Sequence, residues 1–167
     1  MKYTADTSNQ LPEITFWLMG SLNRATYSDV ISMLVPFGAC FLIMLYIGNK
    51  INILSLGEEE AKSLGVNTRA LRAVIIVTAT VLTSYSISIT GTIGWVGLVV
   101  PHLVRMLVGP NYKYLIPGSI LIGGSYLLLM DDLCRSLLTV ELPLGIATSL
   151  IGIPFIISLM RRKGTAW

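Results

Sequence analysis

The sequence predicts an all-α fold, a polytopic membrane helix bundle of about five transmembrane helices with a short cytoplasmic coupling helix pair. Three observations predict it. Of the 167 residues, 53% are hydrophobic and only 13% charged, whereas a water-soluble domain carries about 25% charged residues to wet its surface. Mean hydropathy is +0.72. The apolar residues also gather into runs close to the length a helix needs to cross about 30 Å of hydrocarbon. The period-2 alternation of a membrane barrel is absent, and helices satisfy their own backbone polar groups in lipid.

Residues 1–29 read as an external or interfacial lead-in. The first ten are polar, with no basic region followed by an apolar core, so they are not a signal peptide. Residues 14–22 (ITFWLMGSL) are too few to span, and Phe16 and Trp17 suit the headgroup level. Five crossings follow. Residues 30–47 are uncharged and contain Pro36 and Gly38; residues 73–89 are uncharged; residues 92–108 are apolar to Pro101 and then carry His102 and Arg105. Residues 115–130 and 142–160 complete the set, and the chain reads as a single membrane domain, 1–167. Two cysteines are too few for a secreted disulfide scaffold, and the apolar content excludes a disordered chain. The twelve basic residues are scattered between apolar runs, so no nucleic-acid partner is expected.

Basic residues orient the bundle. With residues 49–72 on one side, alternation places residues 109–114 and the carboxyl terminus there too. That side holds nine of the twelve Lys and Arg, while the other keeps Lys2, Arg24 and Arg135 with six of the nine acids. The 49–72 segment and the carboxyl terminus are therefore expected in the cytoplasm, the amino terminus outside, and the protein in the cytoplasmic (inner) membrane.

The segment INILSLGEEEAKSLGVNTRALR (51–72) reads as two short helices around a glycine turn. Glu58, Glu59 and Glu60 favour the positive end of a first turn. Leu64 ends that stretch, and Gly65 suits the left-handed position past a helix end. Asn67 or Thr68 then caps the next helix. One reading is an amphipathic connector on the bilayer surface. Three consecutive glutamates are repelled by anionic inner-leaflet lipid, which favours a knob that contacts protein.

In SITGTIGWVGLVVPHLVR (88–105), Gly91, Gly94 and Gly97 recur at three-residue spacing and Pro101 lacks a backbone donor. Small residues let membrane helices approach closely. They also permit non-helical backbone at membrane depth, where it is buried or faces water. Either a reversal between packed helices or a pathway-lining break satisfies the pattern. His102, the single histidine, fits packing or capping better than metal ligation, because no partner lies at ligand spacing. No metal or cofactor site is expected.

The run MDDLCRSLLTVELPLG (130–145) gathers Asp131, Asp132, Arg135 and Glu141. Asp131 and Asp132 lie four and three residues before Arg135, so both pairs can meet on one helix face. An intrahelical ion pair is the plain reading; a docking site for an acidic external partner is the functional one. Pro143 falls in the first turn of the last span, with Glu141 near its positive end. Cys40 and Cys134 are separated by much of the bilayer, too far for a mutual disulfide.

Residues 91–109 (GTIGWVGLVVPHLVRMLVG) closely resemble the G-x-IGFVGL-x-x-PH-x-x-R signature of permeases in iron-siderophore and vitamin B12 ABC importers. Residues 55–66 (SLGEEEAKSLGV) resemble their coupling segment, and residues 131–160 their closing AD-x-x-AR…ELP-x-G run; FWLMGSL resembles the start of their sixth helix. Trp95 stands where Phe is usual, and Asp131 where a small residue usually precedes the Asp. The resemblance covers the carboxyl-terminal five of about ten crossings. It implies a translocation subunit that pairs with a second permease chain, the missing amino-terminal half or both. A cytosolic ABC ATPase and an external solute-binding protein are the further partners. Glu58, Glu59, Glu60, Leu64 and Gly65 are then expected to couple to the ATPase, and Arg135 to dock the binding protein. Gly91, Gly94, Gly97 and Pro101 are expected to form a translocation pathway or helix break. No G-x-x-x-x-G-K-[ST] phosphate loop is present, so the chain is not expected to be an enzyme. The alternative function is a truncated membrane remnant that moves no solute.

Overall fold

A computed structural model describes residues 10–23, 25–137 and 143–163. The expectations placed on residues 1–9, Arg24, Glu141 and Leu142 lie outside the described residues. Among the described residues seven helices follow in chain order: α1 (Gln10–Met19), α2 (Tyr27–Leu54), α3 (Glu58–Ser63), α4 (Thr68–Thr90), α5 (Val96–Val108), α6 (Tyr112–Leu137) and α7 (Leu144–Lys163).

The helices outrun the apolar windows of the sequence. Helix α2 starts on a capping box, in which the Thr26 hydroxyl accepts from Asp29 N–H and the Asp29 carboxylate accepts from Thr26 N–H. It then runs for 28 residues through Pro36, a rise of about 42 Å that carries it past the hydrocarbon. Hydropathy falls at Asn49 and Lys50, but helical hydrogen bonding continues to Leu54. Asn67 rather than Thr68 caps α4, its Oδ1 accepting from Ala70 N–H at 3.0 Å.

Helices α2, α4 and α6 are long and apolar enough to cross a membrane; α5 (Val96–Val108) and the apolar part of α7 (Leu144–Ser158) are shorter. The stretch expected as a third crossing, residues 92–108, is therefore not one continuous helix. Residues 91–95 carry no helix. The 13 residues of α5 rise only about 20 Å, and five extended residues add up to about 16 Å. Pro101 does not interrupt the chain: it lies inside α5, which continues to Val108. Its missing N–H removes one intrahelical bond, the one that would reach Gly97 O.

Between α5 and α6, glycines face branched side chains. Val100, Val104 and Leu115 form one core between α5 and α6. A Cβ on Gly118 would come within 2.7 Å of Val104 Cγ1, and one on Gly123 within 3.4 Å of Val100. A second core joins Met130 and Cys134 of α6 to Leu144 of α7. Cys40 and Cys134 are both buried and unbridged.

Candidate functional site: knob, helix break and ion pair

The knob is a short helix between two turns, held by one carboxylate. Glu58 opens α3 after Gly57. Its Oε1 lies 3.0 Å from Lys62 Nζ and its Oε2 2.7 Å from Arg72 Nη2 in α4. The Lys62 hydrogen bond first, then the positive field of Arg72, hold the Glu58 carboxyl below its ordinary value. Beneath it Ala61, Thr68 and Leu71 are buried. The turn closes as Gly65 N–H donates to Lys62 O and Val66 N–H to Ala61 O, with Gly65 at φ +78°. Glu58, Glu59, Glu60 and Gly65 are all exposed; of the three glutamates, Glu58 is the one that Lys62 and Arg72 engage. Leu56 and Leu64 are exposed on either side of α3, at 67% and 61%. Two bare leucines beside two carboxylates present a mixed surface suited to a protein partner.

The break is a three-way backbone junction. Thr90 O accepts from Ser21 N–H, Gly20 O accepts from Leu144 N–H, and the Thr92 hydroxyl donates to Leu18 O. Three glycines make this approach possible. A Cβ on Gly20 would lie 2.6 Å from Thr92 O, and one on Gly145 2.5 Å from Met19 O. Gly91, at φ +69°, has Trp17 O where its Cβ would be. The lead-in helix α1 is therefore bonded at its end into the start of the break and of α7, an arrangement an interfacial segment does not require. Trp95 begins α5 with φ 67°, a left-handed backbone that non-glycine residues rarely adopt. Gly152 of α7 lies against its Cβ.

An apolar cleft of about 690 Å³ opens beside this junction. Helix α2 contributes Met33 and Phe37, α4 contributes Thr83, Ser86 and Thr90, the break contributes Gly91 and Gly94, and α5 contributes Gly97. The structure thus brings the three predicted glycines to one cleft; Pro101 is not among its lining residues. Asp29 lies on its rim and is held by Thr26. No cluster of His, Cys, Asp or Glu suited to a metal occurs among the described residues.

On the far side of α6, Arg135 Nε donates to Asp131 Oδ2 at 2.8 Å. Arg135 remains half exposed. Of the two pairs the spacing allows, the i,i+4 pair with Asp131 is formed. Sequence reasoning missed Gly20 and Gly145 as junction residues, because their partners are backbone atoms far away in the chain. It also missed the Lys62 and Arg72 partners of Glu58, although the i,i+4 spacing of Glu58 and Lys62 was a readable signal.

Long apolar helices, a broken crossing beside a cleft and a polar knob at a helix junction define a polytopic membrane protein built like a transporter permease. The chain belongs to the FecCD transport family, which it matches over residues 1–162. It is similar to the molybdate import system permease protein MolB of Haemophilus influenzae, 45% identical over 92% of this chain and 46% of the relative. It is also similar to the hemin transport system permease protein HmuU of Yersinia pestis, 38% identical over 98% of this chain and 49% of the relative. Among solved structures, a transporter assigned to the metal-chelate ABC type, in an inward-facing conformation, superimposes with a TM-score of 0.91 and 43% identity. The match covers 96% of this chain and 52% of that one. The chain thus spans about half the length of the curated relatives it matches.

Proposed function

We propose that this chain is a translocation subunit of an ABC importer, moving an iron complex such as a siderophore, haem or a cobalamin-like ligand across the cytoplasmic membrane. An oxyanion is the other substrate class that fits. ATP hydrolysis comes from a separate cytosolic ATPase seated on Glu58, Glu59, Glu60, Leu64 and Gly65. An external solute-binding protein docks at Arg135, and a second permease chain or an amino-terminal half completes the path. The bias of basic residues supports an outward amino terminus and a cytosolic α3.

One observation carries this reading: Glu58 ties α3 to Lys62 and to Arg72 of α4, while Leu64, Glu59 and Glu60 are exposed. A connector resting on lipid has no need of a clamp that turns its leucine and carboxylates outward. The remnant reading is not favoured, since the fold follows that of a transporter chain at a TM-score of 0.91. Affinity capture from membranes through this chain recovers an ABC ATPase if the reading holds. Cells lacking their own permease, given this chain and its partner subunits, then accumulate one of molybdate, haemin, ferric citrate or cobalamin. Recovery of no ATPase from intact membranes, or labelling from outside the cell of a cysteine placed at Glu59, overturns it.

A further inference from the structure

Asn52 lies in the last turn of α2, four residues after Gly48 and so on the same helix face. Its Oδ1 accepts the Tyr112 backbone N–H at 2.9 Å, and its Nδ2 donates to Asn111 Oδ1 at 2.8 Å. Asn111 Oδ1 also accepts from Lys113 N–H at 3.0 Å. Tyr112 is the first residue of α6, so its N–H has no partner within its own helix. Helix α6 therefore starts under two asparagines, one its own and one supplied by α2. The two backbones run close at Gly48, where a Cβ would make ordinary contact at 3.8 Å with backbone atoms of Tyr112 and Lys113. On the α2 side the Asn52 carbonyl accepts from the Ser55 hydroxyl at the end of the helix, three residues before Glu58 opens α3.

We infer that Asn52 is a positioning residue that fixes the root of the coupling segment to the start of α6, so that the α3 knob and the α5–α6 turn move as one body. The functional consequence rests on the proposed seating of an ATPase on α3; the tie itself does not. A force applied to α3 passes through Ser55 and Asn52 into α6. That helix runs 26 residues toward Arg135, a rise of about 39 Å. The tie lies at the proposed cytoplasmic ends of the two helices, where three hydrogen bonds converge on Asn52 and Asn111. Asn52 touches neither of the proposed partner surfaces, so its effect is exerted through α6.

Spin labels at Leu56 and Tyr114, both exposed, read the tie in the full chain in lipid nanodiscs after Cys40→Ser and Cys134→Ser. The expected result is one narrow distance distribution, broadened by Asn52→Ala and by Asn111→Ala. The double variant broadens no further than the worse single one, because both remove the same contact. Asn52→Asp, which keeps the acceptor for Tyr112 but loses the donor, falls between. This measurement needs no ATPase, so it decides the tie even if ATPase capture fails. In assembled transporter, Asn52→Ala retains ATPase capture while uptake per ATP hydrolysed falls roughly 2- to 30-fold. An unchanged distribution in Asn52→Ala, additive broadening in the double variant, or loss of capture with an unchanged distribution overturns the inference.

Discussion

Arg72 Nη2 and Glu58 Oε2 meet at 2.7 Å across fourteen residues, joining the second turn of α4 to the first residue of α3. Lys62 reaches the other oxygen of the same carboxylate. One glutamate thereby ties the knob both to itself and to the helix that leads to Gly91. All three glutamates of the run are exposed, but Glu58 is the one engaged by Lys62 and Arg72, so three adjacent identical residues divide between holding the knob and presenting it.

Acid should loosen the knob through Glu58. Its folded value lies below the ordinary carboxylate value of 4.5, owing first to the Lys62 hydrogen bond and then to Arg72. The contribution is therefore complete above the ordinary value and is lost as pH falls through the lower folded one. Hydrogen exchange at Val66, whose N–H donates to Ala61 O, reads this directly. After correction for intrinsic rates, protection is expected to drop between pH 6 and pH 3. In Glu58→Gln protection is already low at pH 6 and changes little. Equal pH dependence in both chains contradicts the assignment.

Glycines that look alike in the sequence should differ sharply in cost. Gly91→Ala places a methyl on Trp17 O and forces alanine to φ +69°. That combination costs about 3 kcal/mol or more. Gly124, inside α6, has nothing within 4 Å of a Cβ, and Gly124→Ala gains up to about 1 kcal/mol from helix propensity. Thermal unfolding in detergent should rank Gly91→Ala far below the parent chain and Gly124→Ala at or above it.

That contrast also shows how much of this protein its sequence discloses. Apolar runs mark the crossings and the cap at Asn67 is readable, because both depend on neighbours within a few residues. Spacing also brings Asp131 and Asp132 within reach of Arg135, without choosing between them, and puts Gly65 in a left-handed turn. The break announces itself through Gly91 and Gly94 but not its extent, since Pro101 proves compatible with α5. The junction of Gly20, Gly91 and Gly145 is invisible locally: each glycine is required by a carbonyl elsewhere in the chain. Asn52 is hidden for the same reason, as its partners lie 59 and 60 residues away.

Gly65 separates what the fold needs from what a partner needs. No atom lies within 4 Å of a Cβ there, but φ is +78°. The fold therefore requires the left-handed backbone and not the empty space. Asn tolerates that conformation, whereas Val costs about 1–2 kcal/mol. Gly65→Asn should keep the Val66 protection of the parent chain while still weakening ATPase capture, because its side chain protrudes from the proposed seat. Gly65→Val should lose both. Undiminished capture by Gly65→Asn removes Gly65 from the docking surface.

Arg135 offers a test at the opposite end of α6. Its Nε is engaged by Asp131 at 2.8 Å, and its side chain is 51% exposed. Exposed helix pairs of this type contribute at most about 1 kcal/mol, so Arg135→Ala should shift thermal unfolding little. If the arginine serves to meet carboxylates of an external binding protein, Arg135→Glu should abolish co-purification of the binding protein that accompanies the parent chain. Capture by the parent chain should also weaken as salt rises, because exposed charges are screened within about 10 Å at 0.1 M. Arg135→Lys should retain part of the interaction, as it keeps the charge but not the planar fork. Charge reversal without effect on capture leaves Arg135 and Asp131 as a helix-surface pair with no partner in solution.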